Sequence, residues 1–268
     1  MEGALWTAWL AVVLAAMSAA CPVMAQESGS LQDGVESESA GSPIRVLHSS
    51  WIDVAAHLPG AQGSMWRTDV VVLNRSDSLA AIELLLHLGG RTLQFLTTLP
   101  AHSQMVFDDV VGMLGQEGKG PLEVRSEQPL TVHGRTYSVS ESGTVGQFVD
   151  GRSSGDGLRA GESGWLAGLR QFEGEYRSNI CITNTGTEVA EVRVRLFTAG
   201  GFELISFPVV IGPREAHHEI QPYRYRRTRN DISCGCALIE VARGTGILVS
   251  ASVIDQRTND AITIPIKR

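Results

Sequence analysis

The chain has 268 residues, 43% hydrophobic and 19% charged, the composition of a globular protein long enough for two cores; it excludes a disordered or fibrous chain. The net charge of −7 sits at the front: five of the 29 acids precede Arg45 with no Lys or Arg among them, leaving 24 acids against 22 bases. A nearly neutral remainder argues against nucleic acid and against an anionic membrane surface as partners.

The first element in chain order is a targeting segment. Ala4 to Ala20 is almost wholly apolar and is followed by Val23-Met24-Ala25, which suits cleavage after Ala25, so residues 1–25 are expected to be a signal peptide. No basic residue precedes the run, and retention as an anchor is the alternative; Ser18-Ala19-Ala20-Cys21 offers lipidation at Cys21 as a lesser one. Residues 26–44 are rich in Ser, Gly and Glu and read as a disordered tether. The protein is therefore expected to be exported to the periplasm, cell surface or medium, with no membrane span in the mature chain unless the signal is kept.

From there the chain is written twice. MWRTDVVVLNRSDSLAAIELLLHL, from Met65, aligns without a gap on EYRSNICITNTGTEVAEVRVRLFT, from Glu175. Trp66 falls on Tyr176, Arg67 on Arg177, Asp69 on Asn179 and Asn74 on Asn184. A second block puts Leu122-Glu123-Val124 on Ile239-Glu240-Val241 and Thr131-Val132-His133 on Leu248-Val249-Ser250, with an insertion of about seven residues expected around Gln221 to Cys236. VRVRLF, from Val192, alternates apolar and basic residues at the period of a half-buried strand. Turn signals such as Gly89-Gly90, Asn184-Thr185-Gly186 and Gly244-Thr245-Gly246 separate the strand-like runs. Only Asp108 to Leu114 looks helical. The predicted fold is all-β: two tandem immunoglobulin-like antiparallel sandwiches, at 45–149 and 165–268. Between them 150–164 reads as a Gly/Ser-rich linker spanning about 20 Å and coupling the two loosely.

HLPGAQGSMWRTDVVVLN, LPAHSQMVFDDVVGMLG, PLTVHGRTYS and VGQFV together resemble repeats of exported bacterial proteins that share WRTD, DDV and RTY segments. The resemblance implies an immunoglobulin-like sandwich repeat of no assigned activity. The second half departs from it, with YRSN in place of WRTD and without the other two segments.

Candidate chemistry is sparse. Gly151-Arg152-Ser153-Ser154-Gly155 spells a nucleophile elbow but lies in the linker with no helix behind it, and Gly118-Lys119-Gly120 lacks the Ser or Thr of a phosphate loop. His217 and Glu219 share one face of a strand and His218 the other, too few ligands for a metal; a solvated strand edge accounts for them. Asp108-Asp109 reads as a helix cap. Cys181 is a candidate disulfide partner for Cys234 or Cys236. Two surfaces stand out. Tyr223, Arg224, Tyr225, Arg226, Arg227 and Arg229 interleave aromatics with guanidinium groups in the inserted segment, suited to an acidic glycan or the acidic patch of an envelope protein. Trp66, Arg67, Asp69, Arg135 and Tyr137 form a second candidate surface, for which an Arg–Asp bridge between strands is the structural explanation. No cofactor or metal is expected. The sequence favours a non-enzymatic structural, adhesive or ligand-binding protein of the envelope; the alternatives are a secreted hydrolase and a surface-assembly subunit.

Overall fold

The structure, a computed structural model, describes residues 47–60, 63–140, 143–226 and 231–268; the expected signal peptide and tether, and Arg227 and Arg229, lie outside them. The first half builds β1 (His48–Pro59), β2 (Met65–Asn74), β3 (Ala80–Leu88), β4 (Arg91–Leu99), β5 (Gln104–Phe107), a one-turn helix α1 (Val110–Met113), β6 (Gly118–Ser126), β7 (Leu130–Ser140) and β8 (Gly143–Asp150). The second builds β9 (Ser163–Phe172), β10 (Tyr176–Asn184), β11 (Ala190–Thr198), β12 (Glu203–Ile211), β13 (Ala216–Ile220), a one-turn helix α2 (Pro222–Tyr225), β14 (Asp231–Arg243), β15 (Ile247–Asp255) and β16 (Ala261–Pro265). Each half is one eight-stranded antiparallel sheet, and the strand order is the same in both: β4-β3-β6-β1-β2-β7-β8 with β5 on β2, and β12-β11-β14-β9-β10-β15-β16 with β13 on β10.

The sheets fold over because their first strands change partners. β1 runs beside β6 from His48 to His57 and beside β2 from His57 to Pro59, with a break in register between Ile52 and Ala55. Such a break bends a strand, so β4-β3-β6-β1 closes over β5-β2-β7-β8. Side chains from both layers then share a core: Ile52, Val70, Val72, Leu84, Leu122 and Val124 in the first sandwich, Leu166, Ile180, Ile182, Val194, Ile239 and Val249 in the second. Alternation explains which residues these are; in β11 Val192, Val194 and Leu196 are buried while Glu191 and Arg193 are exposed. The layers differ from the immunoglobulin constant arrangement in one respect. There the first strand lies beside the second and the last beside the strand before it. Here β1 lies mainly beside β6, and β7 crosses to β2.

Matched residues make matched contacts. The buried Nδ2 of Asn74 donates to the carbonyls of Ser78, Leu99 and Pro100, and that of Asn184 to those of Glu188, Ile211 and Gly212. Four of the five described non-glycine residues with positive φ fall in pairs as well, His102 with Arg214 and Asp109 with Gln221; Asn259 is the exception. The extra residues of the second half are not one insertion. Ala80 pairs with Leu99 but Ala190 with Ile211, so two residues lie in the β11–β12 hairpin, and the α2–β14 and β14–β15 connections share the rest. Leu84 faces Val124 and Val194 faces Ile239, a register two residues away from the alignment of Leu122 with Ile239. A two-residue slip keeps every side chain on its own face, which is why the sequence tolerates either register.

The 150–164 segment is tied down on both sides rather than loose. Trp51 and Arg152 exchange backbone hydrogen bonds, Gly151 N–H donates to Val132, and Leu158 and Ile247 exchange a second pair. The buried Leu158 belongs to the second core. Both sandwiches lie in one compact unit.

Replacing Asn184 with Ala leaves three carbonyls without their donor, and is expected to lower unfolding free energy by about 2–4 kcal/mol, with Asn74→Ala close behind. Urea denaturation of both variants checks this; a change under the scatter of a surface substitution contradicts it.

Candidate ligand-binding cleft

The sandwiches meet at Asp53. This residue is 4% exposed and stands where β1 bends; Arg152 and the Ser250 hydroxyl both donate to its Oδ2, the latter over 2.8 Å. Arg152 also donates to the Val249 carbonyl, and the Thr183 hydroxyl to the backbone carbonyl of Asp53. The first sandwich thus sits on the outer face of the layer that contains β10 and β15.

A cleft of about 310 Å³ remains between them. One wall is the end of the first sandwich, with Leu58, Trp66, Thr136, Gln147 and Val149; the other is the outer face of β10, β13, β15 and β16. Strand alternation brings Arg177, Asn179 and Cys181 to that face in a row, beside Ser250, Ser252 and Ile254 of β15. Trp66 is wedged against Gly60, where a Cβ would lie 2.3 Å from the indole Nε1.

The charges here are not balanced. Arg177 has no carboxylate or hydrogen-bond acceptor among the described residues, and burial lowers its guanidinium pKa. Lys119 is likewise lowered, by burial first and with the Cys181 thiol acting weakly the other way; its ammonium donates to His218 Nδ1 over 2.6 Å. Burial, with the positive charges of Lys119 and His217, pushes His218 down to about 3, so it is a neutral acceptor. The carboxylates lining the cleft are Asp53, held by Arg152, and Asp150, exposed at the rim. Two acceptor atoms of lining residues, Asp53 Oδ1 and Gln147 Oε1, are buried without a partner.

The equivalent place in the first sandwich is more open and carries its own carboxylates, although Arg67 Nε makes no hydrogen bond. Arg67 approaches Asp109 at 3.7 Å, His57 Nδ1 donates to Asp109 Oδ2 over 2.7 Å, and Asp69 Oδ1 accepts from the Tyr137 hydroxyl and the Asp109 N–H. The second sandwich keeps this frame with amides in place of the acids. Gln221 N–H donates to Asn179 Oδ1 as Asp109 N–H does to Asp69, and Gln171 donates to Gln221 where His57 donates to Asp109. Arg177 therefore lacks the two counter-ions that Arg67 has nearby.

The expected surface at Trp66, Arg67, Asp69, Arg135 and Tyr137 is thus divided. Arg67, Asp69 and Tyr137 come together with His57 and Asp109, and Arg135 lies over the Tyr137 ring. Trp66 turns the other way, into the cleft. The expected Arg–Asp bridge is made by Asp109 of the α1 cap, not by Asp69.

In the Arg-rich segment, Tyr223 is fully buried, its hydroxyl 2.9 Å from the Cys236 carbonyl. Arg226 is committed to Glu219 by two hydrogen bonds and lies over Phe207. Arg224, 3.9 Å from Glu173, and the exposed Tyr225 face outward. His217 and Glu219 do share a face, 2.9 Å apart, but the strand is not a solvated edge: Glu219 is buried and His218 points into the junction. Burial opposes ionisation of Glu219, but hydrogen bonds from His217 and Arg226 hold its carboxyl down to about 2.

The disulfide expectation fails for a geometric reason. Ile180 and Ile182 point into the core, so Cys181 points outward to the cleft, whereas Cys234 and Cys236 lie on β14 in the other layer; all three are free thiols. Burial and the Asp53 charge raise the Cys181 thiol to about 12. In the elbow-like motif Ser153 caps a short 3-10 turn, accepting from Gly155 N–H, and Arg152 is the junction residue. No cluster suited to a metal occurs among the described residues.

No family model and no curated protein matches this chain. Among solved structures, 81% of it is similar at 10% identity and a TM-score of 0.16 to a quarter (25%) of Bacteroides uniformis beta-glucuronidase 2 covalently bound to cyclophellitol-6-carboxylate aziridine. A calcium-binding mutant of the same enzyme matches over 80% of this chain and 27% of its own, at 9% identity and a TM-score of 0.15. Scores this low carry no argument about fold or function.

Asp53, Lys119, Gln147, Arg152 and His218 are absent from the sequence-predicted sites, and Arg177 enters the sequence reading only as the match of Arg67. The usable signal was the lone acid in the apolar run SWIDVAAHL, and the exchange of Asp69 for Asn179 beside an arginine both halves keep.

Two outcomes follow from burial at the junction. Alkylation of native protein at pH 8 is expected to label Cys234 quickly and Cys181 only after denaturant is added, read by mass spectrometry; rapid native labelling of Cys181 contradicts the packing. His218 binds protons only in the unfolded chain between its usual pKa, about 6.5, and about 3, so its contribution to stability is full above that window and lost as pH falls through it. His218→Gln is therefore expected to lose less stability than the parent between pH 7 and pH 5, measured as urea midpoints.

Proposed function

We propose that this protein is an exported bacterial binding module of the envelope, and that the cleft between its sandwiches is its ligand site. The observation that carries the reading is Arg177, a half-buried guanidinium facing a cavity with no counter-ion, a costly arrangement that a bound anion relieves. The cavity volume lies at the lower end of small-molecule sites, about 300–1,000 Å³, room for one ring-sized molecule. Binding is favoured over catalysis because the candidate reactive groups are committed: Asp53 to Arg152 and Ser250, His218 Nδ1 to Lys119, and the Cys181 thiol to its protonated form. Export rests on the apolar leader and its cleavage site, and kinship with the exported sandwich repeats on the WRTD, DDV and RTY segments.

Screening a library of small metabolites by thermal unfolding tests the reading. A ligand at about 100 times its Kd adds about 2.7 kcal/mol of stability. Ser252→Phe, which fills the cleft from β15, is expected to fold and to lose that response. A Ser252→Phe protein responding like the parent, or no stabilising compound at all, removes the cleft as a site.

A further inference from the structure

The chemistry around Arg177 narrows what the cleft takes, an inference that rests on the cleft being a binding site. Arg177 presents a planar fork of donors suited to a carboxylate. Next to it on paired strands stand two uncommitted polar groups: the Ser252 hydroxyl has no partner among the described residues, and Asn179 uses its Oδ1 on Gln221 N–H, which leaves its amide donors to the cleft. Gln147 adds a buried acceptor without a donor from the opposite wall. Trp66 supplies an aromatic surface from the same side as Gln147. Arg152 is held by Asp53 and Lys119 by His218, so Arg177 is the cation of the lining that has no partner among the described residues; with the neutral hydrogen-bonding groups and the aromatic side chain beside it, it is complementary to a small molecule that carries a carboxylate, several hydroxyls and an apolar ring face.

We propose that the cleft binds an acidic sugar unit of the uronic-acid class, its carboxylate on Arg177, its hydroxyls on Asn179, Ser252 and Gln147, and its ring face toward Trp66. Cys181, four residues along β10 and so about 13 Å from Arg177, marks the other end of the cleft, where Lys119 keeps the field positive beyond the reach of one carboxylate. The first sandwich does not have this site. Its Arg67 is compensated by Asp109, and its Asp69 and Tyr137 stand where the second has Asn179 and Ile254.

Calorimetry on the purified protein at pH 7, with D-glucuronate, D-glucose and inorganic phosphate as probes, tests the class. Glucuronate is expected to bind saturably and at least tenfold more tightly than the other two. Arg177→Gln is expected to weaken it at least tenfold, and Arg67→Gln to leave it unchanged. Without ligand, Arg177→Gln is expected to melt higher than the parent, because it removes an uncompensated half-buried charge; a merely structural arginine gives the opposite sign. Equal binding of glucose means a neutral polyol site, and equal binding of phosphate an anion site blind to the ring; either overturns the uronic-acid class and leaves the cleft standing. Undiminished glucuronate binding by Arg177→Gln, or no glucuronate binding, overturns it too. The cleft itself falls if Ser252→Phe leaves every ligand response intact, or if no compound stabilises the protein at all.

Discussion

The arrangement of the molecule depends on the buried carboxylate of Asp53. Its strand bends at that point, and its Oδ2 gathers a guanidinium from the segment between the sandwiches and a hydroxyl from β15. A buried ion pair adds little net stability, because desolvation opposes the attraction, but an unpaired buried charge is heavily penalised. The pair therefore acts as a condition on geometry: only one placement of the second sandwich supplies Arg152, Ser250 and Thr183 to the same residue. That placement leaves the end of one sandwich standing over a sheet face of the other, and the unfilled space between them is the cleft.

Covering the β10–β15 face changes what its side chains can afford. On the open face of the first sandwich an arginine, two aspartates, a histidine and a tyrosine lie within contact distance of one another, and water screens whatever is imperfect. On the covered face the same backbone frame holds Arg177 with Asn179, Gln171 and Gln221. The amides reproduce the hydrogen bonds of the acids they replace, so fold alone does not explain retention of the arginine. A guanidinium without counter-ions is a liability under a lid, and a hydrocarbon or neutral polar side chain suits the fold better.

Much of the fold was legible because strands declare themselves locally. The alternation of Val192 to Phe197 located a buried face, and the pairing of Asn74 with Asn184 pointed to a shared strand end that the structure shows as the same three carbonyl contacts. The cleft was not legible, since its members are remote in the chain; Asp53 and Ser250 are 197 positions apart. The tempting patterns misled for the same reason. Tyr223 looked like a surface aromatic among arginines, yet it fills the core beneath α2, because composition does not say which way a one-turn helix faces. Cys181 was read as a staple to β14, but strand alternation past Ile180 and Ile182 turns it to the opposite side. The 150–164 segment looks flexible by composition, whereas two of its glycines serve close backbone approaches: a Cβ on Gly151 would meet the Val132 carbonyl at 2.3 Å, and one on Gly157 the Gly246 backbone at 2.5 Å.

Residues matched between the halves are therefore not automatically structural residues. Asn74 and Asn184 do the same work in the same surroundings, and for them matching means fold. Arg67 and Arg177 match as letters but differ in every partner, one beside acids at the surface and the other alone in a cavity. What separates the two cases is not the residue but its company: Arg177 lies under a covered face with no counter-charge among the described residues, and this difference from Arg67, not the match between the halves, is what motivates the proposal of an anionic ligand.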